Sequence, residues 1–300
     1  MNGEEEVCPL PRVAIVTDSA CDMDRDTLLG RGVAAVVPLT VTIGREEYRD
    51  GVDLTREEFY RLLAASPETA RTAQPSPGAF GAAYREALQT AAHVVAITLS
   101  SGLSGTYESA LLARTGMAGE ADRVTVFDSR AASIGQALMV MGAAERAATG
   151  GSLAEILAFL EDLRAKLASI FTLDTLDYLV RGGRLSRVQG MVGMLLNIKP
   201  LLELDRQGRI VPREKVRGRA RAIERLLAIV GEEGAGLAGQ RVGISHARAA
   251  AEAEAAAEEM RRRFGVGEVA IGEISATIGT HTGPGCLAVF FARKAQNLRS

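Results

Sequence analysis

The residues of this chain best suited to chemistry are few and rich in hydroxyls. His281 stands in Thr280-His281-Thr282-Gly283-Pro284-Gly285, a glycine-rich turn between two apolar runs that read as strands. An imidazole flanked by hydroxyls serves as proton donor, metal ligand or base, according to what meets it. Three other polar turns are available to meet it: Thr17-Asp18-Ser19, Ser100-Ser101-Gly102-Leu103-Ser104-Gly105-Thr106 and Asp128-Ser129. Each follows an apolar run, so in an open α/β sheet each lies beyond the carboxyl end of a strand, where ligands collect. The second turn has two glycines that permit close backbone approach. The helix after Thr106 adds free amides and a positive dipole end. Such a loop is an anion site. It has no lysine among its glycines, and no GxGxxG occurs, so a polyphosphate is a poor match. Hydroxyls without a nearby cation suit a single carboxylate shared among Ser, Thr, backbone N–H and an imidazole. Taken singly, each such turn is also an ordinary helix cap.

The elements that must position these groups follow from periodicity. "RVAIVTDSACDM", "HVVAITLSSGLSGTYESALLARTG" and "RVTVFDSRAASIGQALMVMGAAERAATGG" each run strand, polar turn, helix. Apolar strands alternating with helices argue for a mainly parallel sheet covered on both faces, a three-layer α/β/α domain. "VAAVVPLTVTIGREEYRDGVDL" gives an extended segment and a hairpin through Gly44, followed by a helix with a capping-box spacing from Thr55 to Glu58. Ser76 and Pro77 suit an N-cap and first helical position, which leaves Thr72 in the loop ahead of that helix. After the helix "SLAEILAFLEDLRAKLAS" the rhythm stops. The remainder, with a helix ending at Gly182-Gly183 and a hairpin through Gln207-Gly208, reads as a two-layer α/β domain with a mixed sheet. The expected division is residues 1–167 and 168–300, with a ligand between the two domains.

Composition narrows the class. With 35 Lys+Arg against 37 Asp+Glu, the chain has no electrostatic bias toward nucleic acid. Cys8, Cys21 and Cys286 are odd in number and widely spaced, which fits a reducing cytoplasm and no structural metal site. No apolar run approaches the roughly 20 residues of a membrane span, and "MNGEEEVCPLP" lacks the pattern of a secretory signal. His93 and His246, flanking strands, read as ordinary surface or loop residues. "IGQALMVMGA" and "MVGMLLNIKPLL" are methionine-rich and low in charge, suited to an apolar tail and equally to plain core.

In order along the chain, "VTDSACDM", "TAQPSPGAF", "SSGLSGTYESA", "VFDSRAAS", "TLDYLVRGGRLS" and "GTHTGPG" resemble the DegV family, over nearly the whole length. The resemblance implies two α/β domains with a long-chain fatty acid buried between them and no other cofactor. It implies a carboxylate held by Thr72, Ser100 or Ser101, and His281. Arg181, Arg184 and Thr282 would then lie in the head-group and phosphate vicinity. It further implies a carrier and not an enzyme, one that presents the acid to a separate ATP-binding kinase subunit, carries the acyl phosphate and makes at most transient contact with a membrane surface. Ala73 stands where many members have Ser or Thr, which removes one hydrogen-bonding group. Two other readings compete. One is a serine hydrolase using Ser101 with His281 and Asp18, against which stands the lack of a GxSxG elbow. The other is an interaction protein docking through the basic run "RQGRIVPREKVRGRARAIER".

Overall fold

A computed structural model describes residues 13–66, 70–184 and 197–294. The first half comprises β1 (Val13–Asp18), α1 (Arg25–Gly30), β2 (Val33–Val37), β3 (Thr40–Ile43), β4 (Glu46–Arg49), α2 (Arg56–Ala65), β5 (Arg71–Ala73), α3 (Pro77–Leu88), β6 (His93–Thr98), α4 (Thr106–Thr115), β7 (Val124–Asp128), α5 (Ser133–Ala148) and α6 (Leu153–Lys166). The second comprises β8 (Leu167–Thr172), α7 (Asp177–Arg181), β9 (Ile198–Leu204), β10 (Ile210–Arg217), α8 (Arg219–Glu233), β11 (Val242–His246), α9 (Ala250–Phe264), β12 (Val269–Glu273), α10 (Ala276–Thr282) and β13 (Leu287–Ala292).

Strands β2-β1-β6-β7 form an all-parallel sheet. Every residue of β1 is buried, as a strand covered on both faces requires. Helices α3 and α4 close one face and α5 the other. Strands β10-β9-β8-β13-β11-β12 form a mixed sheet, antiparallel except for the β11–β12 pair. Helices α8 and α9 cover one of its faces. Both sheet types match the expected fold class. The hairpin at Gly44 forms as β3–β4, but β5 joins it to make a third, three-stranded sheet that the sequence does not announce.

Helix α5 packs against strands of both large sheets. From Ser133 to Ala144 every residue is buried, and the first charge arrives only at Glu145, so the helix is apolar all round and belongs between two layers. Met139 and Met141 are therefore core residues. Of "MVGMLLNIKPLL", residues 191–196 lie outside the described residues; Leu201 and Leu202 are core of β9.

Two expectations need correction. "ATIGTHT" is not an extended run leading into a turn; it forms helix α10, with His281 in its last turn. Its β-branched residues favour a strand, but its amino end is captured by carboxylates distant in sequence. Ser275 N–H donates to Asp22 Oδ1 at 2.9 Å, and Ala276 and Thr277 N–H to Asp50 at 3.2 and 3.1 Å. Thr277 Oγ1 donates to Asp50 as well, and Gly283, at φ 69°, ends the helix. Second, His93 and His246 are strand residues. His93 Nε2 bonds Thr125 Oγ1 at 2.9 Å. His246 is buried, and its Nδ1 accepts the Ala249 amide at 3.4 Å.

Candidate functional site

Between the two large sheets lies a mostly apolar cavity, about 760 Å³ of open space including its mouth. Its walls come from the inner face of the mixed sheet (Phe171, Leu204, Ala288, Phe290), from α10, and from the turns after β6 and β7. Polar groups from several elements converge on it, among them Thr72 from β5, Ser104 from the turn before α4, Arg184 after α7, and His281 from α10.

Thr72 Oγ1 and His281 Nε2 are hydrogen-bonded at 2.8 Å. All three residues of β5 pair with β3, and the alternation of side chains along the strand turns Thr72 to the cavity while Arg71 and Ala73 are exposed. A serine or threonine at residue 73 would accordingly sit on the outward side of the strand. On the other side of the imidazole, Nδ1 is buried without a partner. A Cβ on Gly182 would stand 2.1 Å from that atom, so the ring lies directly against a backbone that only glycine can present. Burial pushes the imidazole down to about 4, with the nearby Arg184 charge acting in the same direction. The ring is neutral at pH 7.

The Arg184 guanidinium is half-buried. Its Nε donates to Leu103 O at 3.2 Å and its Nη1 to Gly182 O at 2.5 Å. Among the described residues no carboxylate pairs with it, and burial lowers its pKa. A partly desolvated cation beside an imidazole, at the wall of an apolar cavity, is electrostatically incomplete and attracts an anion.

Of the remaining sequence candidates, Thr282 lines the cavity, its hydroxyl donating back to Ile278 O at 3.1 Å. Ser100 and Ser101 do not reach the cavity wall. Ser100 Oγ donates to Gly208 O at 2.9 Å, fastening the turn to the β9–β10 hairpin, and Ser101 Oγ donates to Asp128 at 2.6 Å. The hydroxyl that the turn contributes is Ser104, three or four residues further along than the resemblance implies. Arg181 is exposed and lies over the Tyr178 ring at 5.5 Å, away from the cavity. Sequence reading also missed Ser133 and Ser245, which line the cavity. Ser245 alternates with Ile244 in an ordinary strand, and nothing in that pattern tells a cavity face from a core face.

The hydrolase constellation does not assemble. Ser101 is bonded to Asp128, His281 to Thr72, and Asp18 accepts the Ala20 and Leu99 amides. Within the basic run, Arg209, Arg213, Arg219 and Arg225 are paired with Asp205, Glu203 and Glu233, Glu252, and Glu214 respectively, so at least half of its cations are engaged within the fold. Among the described residues no group of three or more His, Cys, Asp or Glu side chains is arranged to hold a metal, and no helix is long and apolar enough to cross a membrane.

A parallel α/β/α layer and a mixed α/β layer enclosing an apolar cavity with a polar, cationic edge define a two-sheet ligand-binding architecture. The chain belongs to the DegV family, whose model, described as "Uncharacterised protein, DegV family", matches residues 12–294. A DegV domain-containing protein of Caldanaerobacter subterraneus subsp. tengcongensis is 36% identical, covering 95% of this chain and 100% of its own. Among solved structures, one described as showing fatty acid binding of a DegV family protein from Thermus thermophilus is 36% identical with a TM-score of 0.86, covering 94% of this chain and 100% of that one. DegV of Bacillus subtilis, described as a fatty acid binding protein, is 33% identical with a TM-score of 0.84, covering 94% and 99%.

Proposed function

We propose that this protein binds a long-chain fatty acid in the cavity between its two sheets. The observation that carries the proposal is the Thr72–His281 pair beside the Arg184 guanidinium, which has no carboxylate partner among the described residues, at the edge of an apolar cavity. A carboxylate there accepts from the guanidinium and the Thr72 hydroxyl, with Ser104 within the same wall. The description of the Thermus and Bacillus relatives as fatty acid binding supports the same ligand class. Of the other residues expected at the head group from family resemblance, Thr282 lines the same cavity, Ser100 and Ser101 act in this reading through the turn they fasten, and Arg181 stays at the surface over Tyr178.

Energetics favour a carrier. Burial of an acyl chain at about 0.8 kcal/mol per CH₂ gives on the order of 10 kcal/mol before association costs, so one carboxylate site and an apolar cavity suffice for tight binding. The chain divides in this reading into domains 1–167 and 168–300 with the acid between them; the change from parallel to mixed sheet at Leu167 supports that division.

The finer reading follows from family resemblance: the protein acts in the cytoplasm as a substrate-presenting subunit, offers the carboxylate to an ATP-binding kinase partner, and carries the acyl phosphate away. The experiment for the ligand is native mass spectrometry of the purified protein, with extraction and identification of its lipid. One free fatty acid per chain, lost in Thr72→Ala and His281→Ala, is expected; a protein that is empty and refuses added fatty acid overturns the reading. For the division of labour, the protein is incubated with ATP and fatty acid and no partner. Acyl phosphate formed under those conditions would sink it.

A further inference from the structure

The cavity wall also carries polar atoms for which the carboxylate site has no use. Ser133 and Ser245 both line the cavity, both are at least nine-tenths buried, and neither hydroxyl has a hydrogen-bond partner. Asp22 lies behind this wall. Its Oδ1 accepts the Ser275 amide, while its buried Oδ2 has no partner. Ser133 Oγ is near enough to favour the ionised form of Asp22, yet outside hydrogen-bond geometry. Ser245 belongs to the same neighbourhood: it is paired in register with Gly272, where an added Cβ would stand 2.6 Å from the Asp22 carbonyl oxygen.

Helix α5 begins on this wall as well. Its N-cap, Ala132, supplies no side-chain acceptor for the first amides, and Ser133 adopts a left-handed backbone at φ 59°. A non-glycine residue held there is strained and is retained where the surroundings demand it. Each buried polar atom without a partner is destabilising. A plain alkyl chain lying across this wall satisfies none of them.

The chemistry of the missing partner follows from the donors and acceptors present. The open amides of α5 and two serine hydroxyls call for an oxygen acceptor. A second carboxylate is disfavoured by Asp22, which burial already raises to about 6. A neutral oxygen fits: a hydroxyl or keto oxygen accepts from a serine or an amide and adds no charge beside Asp22.

We propose that Ser133 and Ser245, with Asp22 behind them, form a second subsite, which selects fatty acids bearing a hydroxyl or keto oxygen along the chain. The proposal rests on the fatty-acid reading above and adds a chain-substituent specificity to it.

The test uses full-length protein freed of lipid. Octadecanoic acid competes in native mass spectrometry against monohydroxy- and oxo-octadecanoic acids differing in the substituted carbon. The expected result is a preference of about tenfold for isomers substituted at one carbon or its neighbours, since a buried site built for a hydroxyl discriminates against the analogue without it. In Ser133→Ala and Ser245→Ala, checked for folding by thermal melting, that ratio falls toward one. If either variant fails to fold, the positional pattern in the unaltered protein decides. Binding of all the acids with no isomer ahead of octadecanoic acid overturns the subsite alone. Binding of none overturns the fatty-acid reading, and the subsite with it.

Discussion

The hydroxyl of Thr72 and the Nε2 of His281 meet at 2.8 Å across 209 residues of sequence. One comes from a three-residue strand of the small sheet, the other from the last turn of a seven-residue helix. The pair joins the two halves of the molecule at the edge of the apolar cavity.

Because these two side chains are expected to act on one carboxylate, their removal is not additive. Thr72→Ala and His281→Ala should each weaken fatty acid binding about tenfold or more, as loss of a hydrogen bond to a charged group does. The double variant should lose less than the product of the two. Equilibrium binding of a fluorescent fatty acid measures the cycle, and strictly multiplicative losses would show that the two act independently.

The His281 imidazole should titrate near 4 in the empty protein, because burial and then the Arg184 charge disfavour its protonated form. Its folded pKa lies below the unfolded 6.5, so the stability it contributes is complete above 6.5 and is lost as pH falls toward 4. A bound carboxylate favours imidazolium and should raise this value. NMR titration of the ring with and without bound acid gives both numbers; a pKa unmoved by ligand would place the carboxylate elsewhere.

Gly182→Ala should affect binding chiefly through His281. The new Cβ would stand 2.1 Å from Nδ1 and 3.1 Å from the Tyr178 carbonyl oxygen, so the ring must move. A loss of affinity comparable to that of His281→Ala, in a protein that still melts cooperatively, is expected. Wild-type affinity would mean that the imidazole is not held where the acid binds.

The two arginines of "RGGR" should separate cleanly. Arg184 lines the cavity, whereas Arg181 is exposed over Tyr178. Arg184→Gln should weaken binding about tenfold, the cost of removing a charge-assisted partner, while Arg181→Ala should change it by less than about twofold. Dissociation constants for the two variants decide, and the reverse order would move the head group toward solvent.

The layer architecture was legible because its causes are local. Apolar runs followed by polar turns and amphipathic helices specify a parallel α/β layer whatever the rest of the chain does, and the Ser76 cap and the Gly44 hairpin follow the same local rules. His281 was recognisable as a chemical type, Thr72 was singled out only by the family resemblance, and the two meet in the structure. The turn "SSGLSGT" was recognised as a site element, but not which of its serines faces inward. Ser100 and Ser101 turn away because Gly208 and Asp128 take their hydroxyls, and those partners are supplied by other parts of the chain.

The sequence by itself determined most of the elements, their order and the chemical types available for binding, since propensity, capping and periodicity act over a few residues. Only the tertiary structure decided that "ATIGTHT" is a helix, because the carboxylates of Asp22 and Asp50 that hold its amides lie more than 220 residues away. The same packing made a cavity wall of Ser133 and Ser245 and left Arg184 without a counter-charge among the described residues. Burial and pairing are properties of neighbours in space, and no local pattern encodes them.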